Sequence, residues 1–172
     1  MDLLQEYKEL YYKEIEHSDR LNNKISTCLT ILTIIGTAQI FLINELILNL
    51  SLSWFFIFYF ILCLVSSIMC SKCLICFIKA YSGYEYYYFP ITGAKNYIDQ
   101  IKTNESLSDD KQLAYIKEMM ERKFINDAIQ NRQQNTKKNL LHRNLNIWLV
   151  RTFIVVMFSF LFYLIFLSNF NK

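Results

Sequence analysis

Three cysteines spaced three apart, Cys70, Cys73 and Cys76, come closest in type and spacing to a chemical site in this sequence. A C-x-x-C-x-x-C run can supply thiolates to zinc or an iron–sulfur cluster, but a closed site usually takes four ligands. No histidine lies nearby in the chain, and successive sulfurs turn by about 300° around a helix. All three sit in or at the edge of a long apolar run, where cysteine serves as a small apolar residue. No metal or other cofactor is expected. Cys28 and Cys63 also fall in apolar stretches, so a disulfide framework is not expected either.

A polar face is more regular. Ser26, Thr30, Thr33, Thr37 and Asn44 fall at offsets of 0, 4, 7, 11 and 18 residues, within about 60° of one helix face. Threonines that only bond their own i−4 carbonyls need share no face. Two readings stay open. One is a helix-packing seam of small polar residues, helped by Gly36. The other is a water-facing wall in an oligomer, with Glu45 as an acidic ring at its outer mouth.

Further along, Asn131, Asn135 and Asn139 repeat every four residues, with His142 and Asn146 near the same line. Asparagine is a mediocre helix former, so the ladder suggests interhelical hydrogen bonding or a wet lumen, and a solvated face would serve equally well. His142 follows Lys137 at the spacing of an R-x-x-x-x-H nuclease element, with Lys in place of Arg. The other histidine, His17, has no comparable companion. No Gly-rich phosphate loop, nucleophile elbow or metalloprotease motif occurs, so no enzymatic activity is expected. The tyrosines of residues 81–88 could stack on a nucleobase. Their position directly after an apolar run favours the headgroup boundary of a membrane, and no direct nucleic-acid binding is expected.

The elements that must carry these residues are all helical. Three Gly and one Pro in 172 residues are too few for the turns of a sheet protein. Leu3, Leu4, Tyr7, Leu10, Tyr11, Ile15 and Leu21 recur at helical spacing among charges, which predicts an amphipathic helix over residues 1–24. No Gly or Pro separates it from the uncharged run 25–43, about 29 Å long as a helix and matched to a bilayer. Residues 44–53 form a short link. Trp54 opens a second apolar run to about Ile78, broken only by Lys72. Residues 93–102 predict a short helix, 103–108 a polar loop, and Ser108 an N-cap before Asp109 and Asp110. Beyond it Leu113, Ile116, Met120 and Phe124 make an apolar stripe. With no later Gly or Pro, that helix can continue through a kink near 135–146 into a third apolar run, 147–167.

The fold class is therefore all-α: an integral membrane protein with an N-terminal amphipathic helix (1–24), a transmembrane hairpin (25–79), a cytoplasmic helical segment (80–146) and a third transmembrane helix (147–168). Ten Lys and Arg lie within residues 80–146 and none in the first link. By the positive-inside rule the amino terminus and residues 80–146 are cytoplasmic and the carboxyl terminus is outside. Lys137, Lys138 and Arg143 read as topology determinants and anionic-lipid contacts. The acidic leader, with no small-residue cleavage site after its apolar core, argues against a cleaved signal peptide.

Residues 11–22 (YYKEIEHSDRLN), the Tyr81-x-x-Tyr84-x-Tyr86-x-Tyr88-x-Pro90 element and Asn131-x-x-x-Asn135 together resemble the small multi-span membrane proteins encoded beside bacterial antiphage modules, including nucleotide-signalling operons, retrons and RNA-targeting CRISPR loci. The third run sets the chain apart from two-span members of that group. The resemblance implies an effector that assembles in the bacterial inner membrane and perturbs it when infection is sensed. The expected partners are membrane lipid, further copies of the chain and a soluble defence-system component. The other reading is a non-conducting adaptor that docks a soluble sensor or enzyme through its cytoplasmic helices.

Overall fold

In a computed structural model, which describes residues 3–48, 54–82, 84–89, 91–103 and 108–170, the scarcity of Gly and Pro has its direct consequence. Four helices account for 94% of the described residues, and no strand occurs among them. They are α1 (Leu3–Leu48), α2 (Trp54–Tyr81), α3 (Ile91–Lys102) and α4 (Asp109–Phe170). The amphipathic leader and the first apolar run form one helix, α1. The long stretch without Gly or Pro forms α4, uninterrupted through 135–146. The backbone N–H of Gln112 donates to the Ser108 carbonyl at 3.0 Å, which puts Ser108 at the N-cap position. α1, α2 and α4 are long and apolar enough to cross a membrane. Of the link expected over 44–53, residues 44–48 continue α1 as helix, because no Gly or Pro stops it there. Residues 49–53, Gly83, Pro90, residues 104–107 of the loop expected over 103–108 and the Trp54 side chain lie outside the described residues.

The chain divides into two compact units, one of residues 1–21 and 84–138, the other of 22–83 and 139–172. The second contains the apolar runs. Its buried positions are Ile25, Cys28, Leu32, Ile35, Gln39, Leu42 and Leu46 on α1, and Tyr59, Cys63, Ser66, Cys73 and Ala80 on α2. On α4 they are Leu145, Leu149, Thr152, Val156, Ser159, Tyr163 and Phe166. With half-buried Cys70 and Phe77 included, every one of these series steps by three and four residues in alternation. That is the heptad of a left-handed helix bundle, which membrane helices share with soluble coiled coils. Cys, Ser and Thr occupy many of these positions because small side chains let helix backbones approach closely. Cys73 and Thr152 are both fully buried, with Sγ and Oγ1 3.2 Å apart.

The first unit is built differently. Residues 84–89 are extended rather than helical, and Phe89 packs on the cluster of Tyr11, Phe124 and Ala128 together with Leu4, Tyr7, Ile15 and Met120. Phe89 stacks on Phe124 at 4.6 Å between ring centroids, and Tyr11 meets Phe124 at 5.5 Å. Leu113, placed in the apolar stripe by its spacing, is 68% exposed. The buried line of α4 in this unit starts only at Phe124.

Candidate functional site

α1 carries two faces of different chemistry. The buried face runs through Ile25, Cys28, Leu32, Ile35, Gln39, Leu42 and Leu46, whereas Ser26, Thr30, Thr33, Thr37 and Asn44 are all exposed. The two faces lie about 150° apart around the helix axis. Thr33 and Thr37 donate their hydroxyls to the carbonyls of Leu29 and Thr33, at 2.9 and 3.0 Å. This spends the donor and leaves the oxygen lone pairs outward. Gly36 lies about 90° around the helix from the stripe, and a Cβ added there would meet nothing within 4 Å, so no close helix contact depends on this glycine among the described residues. Glu45 does not point out with the stripe. It is half-buried, and its carboxylate lies within hydrogen-bonding reach of the Tyr163 hydroxyl.

Sequence reasoning missed Gln39. Its amide nitrogen donates to the Cys63 carbonyl at 2.9 Å and to Ser67 Oγ at 3.1 Å, while Ser66 Oγ donates to Gln39 Oε1 at 2.7 Å. Nearby, Tyr59 donates to the Leu42 carbonyl at 2.7 Å. A long polar side chain in an otherwise apolar run was the available signal, since such groups need partners in hydrocarbon.

At the other end of this unit Cys28, His142 and Asn146 meet. Cys28 Sγ donates to Asn146 Oδ1 at 3.1 Å and lies 3.7 Å from His142 Nε2, which is also 3.4 Å from Asn146 Nδ2. Thiol and amide address the same ring nitrogen, so the asparagine does not orient the imidazole from its far side as a nucleophile–base–orienter set requires. Burial, and secondarily the charge of Lys24, push the His142 pKa below its ordinary value. The arrangement is a polar contact between helices.

In the first unit Asn131 and Asn135 are buried. Asn131 takes the Tyr87 N–H at 2.9 Å and returns its own N–H to the Tyr87 carbonyl at 3.0 Å. The side-chain amide thus satisfies the backbone of a segment that has no strand partner. Asn135 accepts from the Tyr86 hydroxyl at 3.0 Å and donates to the Glu14 carbonyl and carboxylate at 2.8 and 2.9 Å. Tyr11 accepts the Phe89 N–H at 2.9 Å. Asn139 is exposed. Its place in the buried line is taken by Lys138, whose ammonium lies 5.2 Å from the Tyr84 ring centre and 5.4 Å from that of Tyr86. Burial lowers the Lys138 pKa, against the opposing pull of Asp19, and raises those of Tyr84 and Tyr86. Buried Asp127 pairs with Lys123 through Oδ1 at 2.8 Å, and its Oδ2 has no hydrogen-bond partner among the described residues. Of the tyrosine cluster, Tyr84 and Tyr86 are thus engaged within the unit, while Tyr81 and Tyr88 are exposed.

No protein-family model matches the chain, and no curated protein or solved structure matches it significantly.

Proposed function

We propose that the protein is an oligomeric membrane effector that permeabilises or depolarises the bacterial inner membrane in antiphage defence. The outward position of Ser26, Thr30, Thr33 and Thr37 carries this reading. The seams among α1, α2 and α4 are already filled by other residues. A heptad-spaced polar face on a span-length helix is therefore left for water or for a neighbouring copy. Three spans are too few to enclose an aqueous path, so conduction requires several chains. The defence setting comes from the resemblance alone. The orientation, with residues 80–146 in the cytoplasm, comes from the Lys and Arg distribution, and periplasmic reporter activity from a fusion after Lys102 would refute it.

Thr→Val is nearly isosteric and separates the readings of the stripe. In a wet path it substitutes an apolar collar for water-binding groups and favours dewetting. In a dry seam it costs little, because each hydroxyl can bond its own helix. Thr30→Val with Thr33→Val should abolish depolarisation while leaving expression and oligomer size intact. Depolarisation equal to the parent's would sink the conducting face, and a monodisperse monomer in nanodiscs would sink the oligomer.

One observation favours the adaptor reading. Leu113 and Tyr115 are exposed, and Tyr115 borders a groove of about 530 Å³ with Tyr97, Met119 and Arg122, a surface that suits a soluble partner. An adaptor would lose function on Leu113→Glu with Tyr115→Glu and keep it on the double valine change.

A further inference from the structure

Lys72 and Arg151 interrupt the apolar character of α2 and α4, and both are exposed. They converge on one ring. Lys72 Nζ lies 4.9 Å from the Trp148 ring centre and the Arg151 guanidinium carbon 5.3 Å from it, both inside cation–π range. Among the described residues no carboxylate pairs with either cation. The contact between Cys73 and Thr152, each one residue along from a cation, fixes the two helices against each other at this level. The Thr152 hydroxyl also donates to the Trp148 carbonyl at 2.8 Å, and the Trp148 ring is half-buried against the apolar core.

Two cations without acids on the flanks of span-length helices need a counter-charge. Lys72 lies six residues before Ile78 and Arg151 four after Ile147, about 9 and 6 Å from the ends of the apolar runs. Both depths are within the reach of a snorkelling side chain. One turn along each helix on the same side, Ile68, Ile75, Ile147 and Ile154 are exposed and offer apolar surface to acyl chains. We propose that Lys72, Trp148 and Arg151 form a binding site for the phosphodiester of an anionic phospholipid in the cytoplasmic leaflet. The cations hold the phosphate, and the indole fixes their spacing. The proposal rests on the membrane-spanning reading and is independent of conduction.

Trp148 reports on its own site. In a Trp54→Phe background it becomes the only tryptophan, and lipids brominated on their acyl chains quench it when adjacent. The full chain is reconstituted in phosphatidylcholine vesicles with a small fraction of brominated phosphatidylglycerol or, separately, brominated phosphatidylcholine. Two cations imply a preference for the anionic lipid of about 30-fold. Lys72→Gln with Arg151→Gln should bring the two quenching curves together, whereas Lys95→Gln with Lys111→Gln, at two exposed cations away from the site, should leave them apart. Equal quenching by both lipids in the parent would overturn the site while leaving the membrane-spanning reading intact. Quenching by neither lipid would overturn both. Loss of the preference by inorganic phosphate at millimolar concentration would assign the site to a soluble anion and overturn the lipid proposal.

Discussion

Replacing Asn131 with Ala should release residues 84–89. The substitution removes the two hydrogen bonds that Asn131 exchanges with the Tyr87 backbone at 2.9 and 3.0 Å. Each such bond contributes about 1 kcal/mol net, and a part-buried backbone group left without a partner costs about 1–3 kcal/mol. Water will reach some of the vacated space, so the combined cost is roughly 2–4 kcal/mol. Amide exchange through local opening scales with that free energy. Peptides covering residues 84–89 should therefore exchange about 30- to 1,000-fold faster in the variant. Asn131→Asp keeps an acceptor for the Tyr87 N–H but turns a carboxylate oxygen toward the Tyr87 carbonyl, so it should not restore protection. Asn139→Ala, at an exposed position of the same four-residue series, should change exchange by less than about threefold, the effect of ±0.5 kcal/mol at a surface site. Unaltered protection of 84–89 in Asn131→Ala would refute the assignment of the clasp.

Gln39→Leu should remove the bonds of Gln39 with the Cys63 carbonyl, Ser66 and Ser67 and leave Ser66 only the Cys63 carbonyl of its own helix at 2.9 Å. It should weaken the α1–α2 pairing by about 1–2 kcal/mol, read as a lower midpoint in detergent unfolding; an unchanged or raised midpoint would count against a stabilising role for Gln39. His142 gives a pH dependence. Burial holds its folded pKa below the ordinary 6.5, so below about pH 6.5 the unfolded chain binds the proton more readily and stability falls with acidification. The melting temperature of the parent should drop between pH 7.5 and 5.5 by more than that of His142→Gln, and identical slopes would dismiss the histidine as the cause.

The helices were legible because charge segregation and the lack of Gly and Pro leave few other folds. The seams were not. Inside a run that is apolar all round, a heptad has no polar residues to stand out against, so Leu32 and Ile34 look alike although one is buried and the other exposed. Asn139 shows the limit of a fixed spacing. Each step of four residues advances 40° beyond a full turn, and by the third asparagine the series has walked off a seam that alternates three and four. The bonds from Asn131 to Tyr87 and from Asn135 to Glu14 join residues 44 and 121 apart, and no local pattern announces such partners. That the hydroxyls share one face was readable for the opposite reason, since they contrast with the apolar residues around them; that the face is exposed was not, because a packing seam has the same pattern.

A seven-residue repeat is a ruler without a zero mark, and α1 and α2 pair through two of them. Apolar contacts alone would tolerate a slip of two turns almost as well as the native alignment. Gln39 supplies the missing mark. Slipped by one repeat, it would face the level of Tyr59 or Cys73, while Leu46 or Leu32 would stand against Ser66 and Ser67. Either slip separates Gln39 from the Cys63 carbonyl and the Ser66 and Ser67 hydroxyls, and an amide short of partners in hydrocarbon is penalised. Every group that penalty involves lies on α1 or α2, so the alignment of these two helices is specified without any contact from α4.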